Sequence, residues 1–243
     1  VIDDDGVLEV VLTWPDVRNA LGPDDADTLS SRLAEAEDER CRAVVLSAEG
    51  RAFCAGGNLR QVWQLAQAGE AAVSERIYRS YQGLIRRIRT LDVPVVAAVD
   101  GPAIGLGFDL ALACDLRFFG RGAWVQQGWA AVGLIPAVGG FHFLKQMGGP
   151  QLAWELMTDR DRRLGPEELE RRGLGRAVDR AGPAARSAAA DLAGLPRDVL
   201  AASKELLAID GLDDYLDRAR QLQAGFFVGP RFAAYVEQVF GAP

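Results

Sequence analysis

The stretch 94-PVVAAVDGPAIGLGFDLALACDLR-117 decides the fold. Its apolar opening, within 93-VPVVAAVDG-101, is short, continuous and β-branched, which reads as a strand buried on both faces. The loop 101-GPAIGLG-107 follows, then a helix over 107-GFDLALACD-115 and a strand near 116-LRFFG-120. A buried strand that ends in glycines and gives way to a helix is the building unit of an α/β protein.

The same unit recurs upstream. The buried strand 43-AVVLSA-48 runs into the glycine-bearing loop 49-EGRAFCAGGNL-59. A long amphipathic helix over about 72–91 then carries Val73, Ile77, Tyr81, Leu84, Ile88 and Leu91 at helical spacing. Earlier still, 7-VLEVVLTW-14 alternates as a strand, the turn formers 15-PDVRNALGPDD-25 follow, and a helix is expected over 24–38. Downstream, 121–140 reads as loop, helices cover about 140–147 and 150–158, and 163–179 reads as helix, turn and short strand. Residues 182–243 are helical text rich in alanine and arginine. The expectation is an α/β core over 1–181, with a recurring β-β-α rhythm, and a helical subdomain over 182–243.

Composition narrows the chemistry. A chain of 243 residues with 49% hydrophobic and 25% charged content is ordinary for a globular protein with a sizeable core. A net charge of −7 without a basic stripe speaks against nucleic acid. No apolar run approaches the ~20 residues of a membrane span. The acidic N-terminus differs from a signal peptide, so a cytoplasmic location is expected. Cys41, Cys54 and Cys114 lack disulfide or zinc spacing and read as reduced core thiols. With His142 as the single histidine and no G-x-S-x-G, a serine hydrolase or a zinc site is disfavoured. Chemistry must rest on carboxylates and backbone dipoles.

Two loops offer those dipoles. In 54-CAGGNL-59 and 104-IGLGFDL-110, N–H groups at a helix entrance lack intrahelical acceptors. The glycines either make turns only, or two such donors converge on one oxygen as an oxyanion hole. Each donor of such a hole is worth ~3–4 kcal/mol. A Rossmann fingerprint and a P-loop are both missing.

At these residues the chain resembles the crotonase (enoyl-CoA hydratase/isomerase) superfamily along nearly its whole length. The matching stretches, in family order, are 15-PDVRNAL-21, 52-AFCAGGNL-59, 94–117, 133-GLIPAVGG-140 and 165-GPEELERRGLGRAVD-179. The resemblance implies a spiral of β-β-α turns and a C-terminal α-helical part that assembles a homotrimer or a dimer of trimers. It implies an acyl-CoA or acyl-carrier thioester as substrate, with coenzyme A as part of that substrate and no separate cofactor or metal. It further implies that Gly57 and Leu106 give the two oxyanion N–H groups, and that Arg18, Ala55, Asn58, Leu59, Trp129 and Ala137 contact substrate.

The chain departs from the family's hydratases at the two glutamates that hold water. One matches Asp109, three residues after Leu106 and on the same helix face. It reads either as a sole catalytic acid/base or as a first-turn carboxylate favouring the helix dipole. The other matches Trp129, an indole that reads as an acyl-pocket wall or as a core aromatic. Ala137 stands where dehalogenating relatives carry a nucleophilic aspartate. Gln126 and Gln127 either position water or a polar substrate group, or belong to a solvated loop. Arg18 is a candidate for a CoA phosphate or a solvated surface arginine. Two functions follow: an enzyme with altered chemistry (hydration or dehydration, isomerisation or decarboxylation), or a non-catalytic acyl-CoA or acyl-carrier binding protein.

Overall fold

The computed structural model describes residues 1–207 and 211–241. The chain winds as a spiral. Each of the first four windings sends one strand into a large parallel sheet, then a short extended piece into a second ladder, then one or more helices. The first winding is β1 (Val7–Leu12), the piece at Leu21 and α1 (Pro23–Ala34). The second is β2 (Ala43–Ala48), residues 54–57, α2 (Leu59–Ala66), α3 (Glu70–Ala72) and α4 (Arg79–Thr90). Next come β3 (Val95–Val99), β4 (Ala103–Ile104) and α5 (Leu106–Ala113). Then follow β5 (Leu116–Phe119), β6 (Val125–Gln126) and α6 (Gly140–Thr158). The last winding holds α7 (Pro166–Arg171) and β7 (Arg176–Ala177). Helices α8 (Ala181–Ala193), α9 (Arg197–Leu207), α10 (Leu212–Phe227) and α11 (Pro230–Phe240) complete the chain.

The large sheet runs β1-β2-β3-β5-β7, every pair parallel. The second ladder pairs β4 with β6 and is widened by bridges Leu21↔Gly57, Cys54↔Ala103 and Val125↔Leu164. Strand alternation sorts the side chains to two faces. Leu8, Val10, Val44, Leu46, Val95, Ala97 and Val99 join the main core with the helices of the windings. Val7, Val45, Val96, Ala98 and Phe118 face the other way, onto Ala181, Ala185 and Ala189 of α8. Both faces of β3 are therefore covered, which is why its sequence is uniformly apolar. The expected boundary at 181/182 falls at the start of α8, and α8 is one layer of this sheet packing.

The later helices are tied down by buried polar groups. Lys204 of α9 donates to the carbonyls of Ile88 (2.9 Å) and Val93 (3.1 Å) and pairs with Asp115 at 2.8 Å. Gln223 of α10 donates to Tyr78 Oη (2.7 Å) and accepts from the Ile135 N–H (2.9 Å). Three local readings are refined. The helix expected over 72–91 contains a π-helical stretch, Val73–Tyr78, between α3 and α4. The helices expected at 140–147 and 150–158 are the two arms of α6, broken at Gly149 (φ 81°) beside Pro150. The loop expected over 121–140 holds β6 and a 3-10 turn, Ala130–Val132.

Candidate active site

The second ladder and the helices that leave it enclose a cavity of about 250 Å³. Two strand-to-helix junctions meet on its wall. At the first, Leu21 N–H donates to Gly56 O (2.9 Å) and Asn58 N–H donates to Leu21 O (2.8 Å). Gly57 lies between these bonds, and its own N–H has no acceptor among the described residues. At the second, Leu106 is the first residue of α5, so its N–H has no intrahelical acceptor and finds none elsewhere among the described residues. Gly56 lets the two junctions touch. Its φ is +103°, and a Cβ there would lie 2.9 Å from Ile104 O and 3.9 Å from Leu106 N.

Gly57, Leu106, Ala55, Leu59 and Trp129 all line the cavity. The remaining sequence candidates stand off its wall. Asn58 uses its side chain to cap α2, accepting from the Gln61 N–H. Arg18 is exposed with φ 55°, and only its carbonyl touches the site's frame, accepting from Ala55 N–H at 2.9 Å. Ala137 is fully buried, its carbonyl accepting from Gln82 Nε2 at 2.8 Å. Arg160 and Tyr235, to which the sequence reading gave no role, do reach the wall, as do Gln126 and Gln127. No Asp, Glu, His or Cys lines the cavity among the described residues.

Asp109 lies one side chain behind that wall, completely buried. Its Oδ1 accepts from Gln127 Nε2 at 2.6 Å, the Gly140 N–H also donates to the carboxyl, and Oδ2 is buried without a partner among the described residues. Gln127 Oε1 in turn accepts from Trp129 Nε1, whose ring packs over Gly105. A relay of Asp109, Gln127 and Trp129 thus connects the carboxyl to the cavity. Burial pushes the Asp109 carboxyl up to about 7, although the Gln127 and Gly140 donors oppose the shift. Because the folded value exceeds the unfolded one, its stability contribution is complete below about pH 4 and is lost as pH rises through about 7. Asp109→Asn is therefore expected to gain on the wild type by on the order of 2–4 kcal/mol between pH 4 and pH 8. Urea unfolding of both proteins at the two pH values measures this, and parallel pH dependences would count against a neutral Asp109.

The three cysteines and His142 are not among the residues that line the cavity. All three cysteines are free and buried, and burial pushes the Cys54 and Cys114 thiols up to about 12. The His142 ring packs edge-on against Phe143, with centroids 5.7 Å apart. Among the described residues there is no cluster of metal-ligating side chains, and no helix is long and apolar enough to cross a membrane.

Comparison with known proteins agrees with the spiral. Residues 3–233 match the family described as Enoyl-CoA hydratase/isomerase. The chain is 32% identical over 242 residues to "Probable enoyl-CoA hydratase EchA14" of Mycobacterium tuberculosis, covering 98% of this chain and 93% of that one. It is 35% identical over 173 residues to the human "Enoyl-CoA hydratase domain-containing protein 2, mitochondrial", a match spanning 70% of this chain and 58% of that protein. An enoyl-CoA hydratase/isomerase structure from Mycobacterium paratuberculosis superposes with a TM-score of 0.87 at 27% identity, covering 98% and 96% of the two chains. An enoyl-CoA hydratase structure from Bacillus halodurans shares the fold, at TM-score 0.89 and 20% identity over 98% of each chain. By fold and by sequence, this chain belongs to the enoyl-CoA hydratase/isomerase (crotonase) family.

Proposed function

We propose that the cavity takes an acyl-CoA or acyl-carrier thioester, with its carbonyl oxygen between the N–H groups of Gly57 and Leu106, and that the reaction passes through the thioester enolate. One observation carries this reading: among the described residues, two backbone amides without acceptors sit on one cavity whose wall bears no carboxylate. The carboxylate pair between which a hydratase holds its water has no counterpart among the described lining residues. What remains is chemistry in which stabilising the enolate oxygen is the main task.

Double-bond isomerisation and decarboxylation fit that description best. In isomerisation, a proton leaves one carbon, its electron pair flows into the thioester carbonyl, and a proton returns at another carbon. In decarboxylation, the bond to the departing carboxylate breaks, its pair forms the enolate, CO₂ leaves and the α-carbon takes a proton. Asp109 is the proton carrier of this scheme, poised near neutrality and separated from the cavity by the Gln127 amide. Its exchange with substrate requires Gln127 to swing aside. Gln127 and Trp129 otherwise hold the acyl group against the two amides. A trimer or dimer of trimers and a cytoplasmic location belong to the same proposal.

The test is a panel of crotonyl-CoA, a 3-enoyl-CoA and malonyl-CoA, run beside binding of unreactive butyryl-CoA. Turnover of the second or third above the first is expected, with Asp109→Asn lowering it about 10²-fold or more. Binding without turnover of any would instead favour a non-catalytic acyl-thioester binder, a reading supported by the lack of a carboxylate among the described lining residues. Unchanged turnover in Asp109→Asn would remove Asp109 from the mechanism.

A further inference from the structure

Arg160, whose side chain is exposed to solvent, is the one formally charged residue on the cavity wall among the described residues. Its neighbours are occupied: Arg162 pairs with Glu155 at 3.1 Å, and Arg163 stacks over Trp124 at 4.2 Å. Arg160 forms no ion pair with any described residue; its guanidinium instead lies over the Tyr235 ring, 5.7 Å from the centroid. That contact anchors the charge to α11 without neutralising it.

The backbone of Arg160 is held as firmly. Its carbonyl accepts from Gln126 Nε2, and a Cβ on Gly128 (φ +72°) would lie 3.3 Å from Arg160 Cα. The strip 126–128 in turn lies beside the donor loop, with Gly105 N–H bonded to Gln126 O at 2.9 Å. The order across the wall is therefore Leu106, then Gln126–Gly128, then Arg160. Leu106 and Arg160 thus line one cavity, with that strip between their backbones. An acyl group that runs from the amides across that strip, within a cavity of about 250 Å³, meets a cation.

We infer that Arg160 reads a carboxylate at the distal end of the acyl group, so that the site takes thioesters of dicarboxylic acids. The inference rests on the thioester reading of the same cavity. A carboxylate at the distal end of the acyl group, unlike one on the α-carbon, is a recognition handle and not a leaving group. A planar guanidinium pinned on an aromatic ring is well suited to it, since carboxylates bind such forks in paired hydrogen bonds. The phosphates of coenzyme A are the other anions a thioester ligand could offer to Arg160, and the two sources separate experimentally.

Binding of glutaryl-CoA and pentanoyl-CoA, which match in chain length and differ in the terminal carboxylate, is measured by calorimetry. The same acyl groups are then measured as pantetheine thioesters, which carry no phosphate. Glutaryl is expected to bind about ten- to a hundredfold more tightly than pentanoyl on both carriers. In Arg160→Gln that preference should vanish while pentanoyl binding stays within about twofold; Arg160→Lys should keep part of it. Thermal melts of the variants establish that each is folded. Equal binding of the two acyl groups to the wild type overturns the inference and leaves the thioester site standing. So does a loss in Arg160→Gln that falls equally on both CoA thioesters and spares both pantetheine thioesters, which would assign Arg160 to phosphate. If no thioester binds on either carrier, the thioester site itself is wrong and this inference falls with it.

Discussion

Leu106→Pro is expected to lower the turnover number on any accepted thioester about 10²–10³-fold while leaving the protein folded. Proline removes one atom that matters here, the amide hydrogen of residue 106. Leu106 is the first residue of α5, where proline fits because the N–H has no helical acceptor to lose. The substitution also discards a buried side chain, since Leu106 is 1% exposed. Leu106→Ala discards it too but keeps the amide. The ratio of the two variants therefore isolates the donor. The loss should fall on the turnover number more than on KM, because the donor gains most from the charge that develops on the oxygen. Equal activities in Leu106→Pro and Leu106→Ala would remove residue 106 from any oxyanion hole.

Strand-end glycines followed by a helix announce amides without intrahelical acceptors in both loops, and the resemblance to the crotonase superfamily is what singled out residues 57 and 106, whose N–H groups have no acceptor among the described residues. The strand at 43–48 has the bounds its β-branched run announces, and the Gly149 break shows in the text as paired glycines before Pro150. Other features had no local signal. A two-residue strand such as β6 carries no period, so its register with β4 could not be read, and with it the placement of Gln127 against Asp109. The π-helical stretch keeps the same apolar spacing as an α-helix over so short a run. Arg160 and Tyr235 lie 54 and 129 residues beyond Leu106, and only the winding of the spiral and the return of α11 bring them to the cavity. Arg18, Asn58 and Ala137 sit near the site in sequence, but a local backbone demand fixes each elsewhere. Arg18 supports the loop through its carbonyl, Asn58 caps a helix, and Ala137 is enclosed in the core.

Gly107→Ala sets two principles against each other, and packing decides. Inside a helix, alanine is favoured over glycine by about 1 kcal/mol, so propensity alone predicts a more stable protein. At this position, however, a Cβ would lie 2.2 Å from the Cys54 carbonyl oxygen and 2.7 Å from Cys54 Cβ. Neither is the far end of a flexible side chain. The Cys54 carbonyl already accepts from Ile104 N–H at 2.9 Å, so it is held in the ladder that carries both donor loops. Relief requires α5 to move off residue 54 by on the order of 1 Å, and overpacking of that kind costs about 3 kcal/mol. A drop in Tm of about 6–12 °C is expected. The same displacement carries the Leu106 amide away from the Gly57 amide, and an error of about 1 Å at a reacting centre costs roughly a hundredfold in rate. Gly83→Ala supplies the contrast, because that glycine is also inside a helix, α4, and a Cβ there meets nothing within 4 Å. It should be neutral or stabilising by up to about 1 kcal/mol, with activity unchanged. Thermal melts and turnover of the two variants together test whether the donor loops are set by direct contact of the two backbones. If Gly107→Ala melts and turns over like Gly83→Ala, the contact between α5 and residue 54 is not what fixes the distance between the amides.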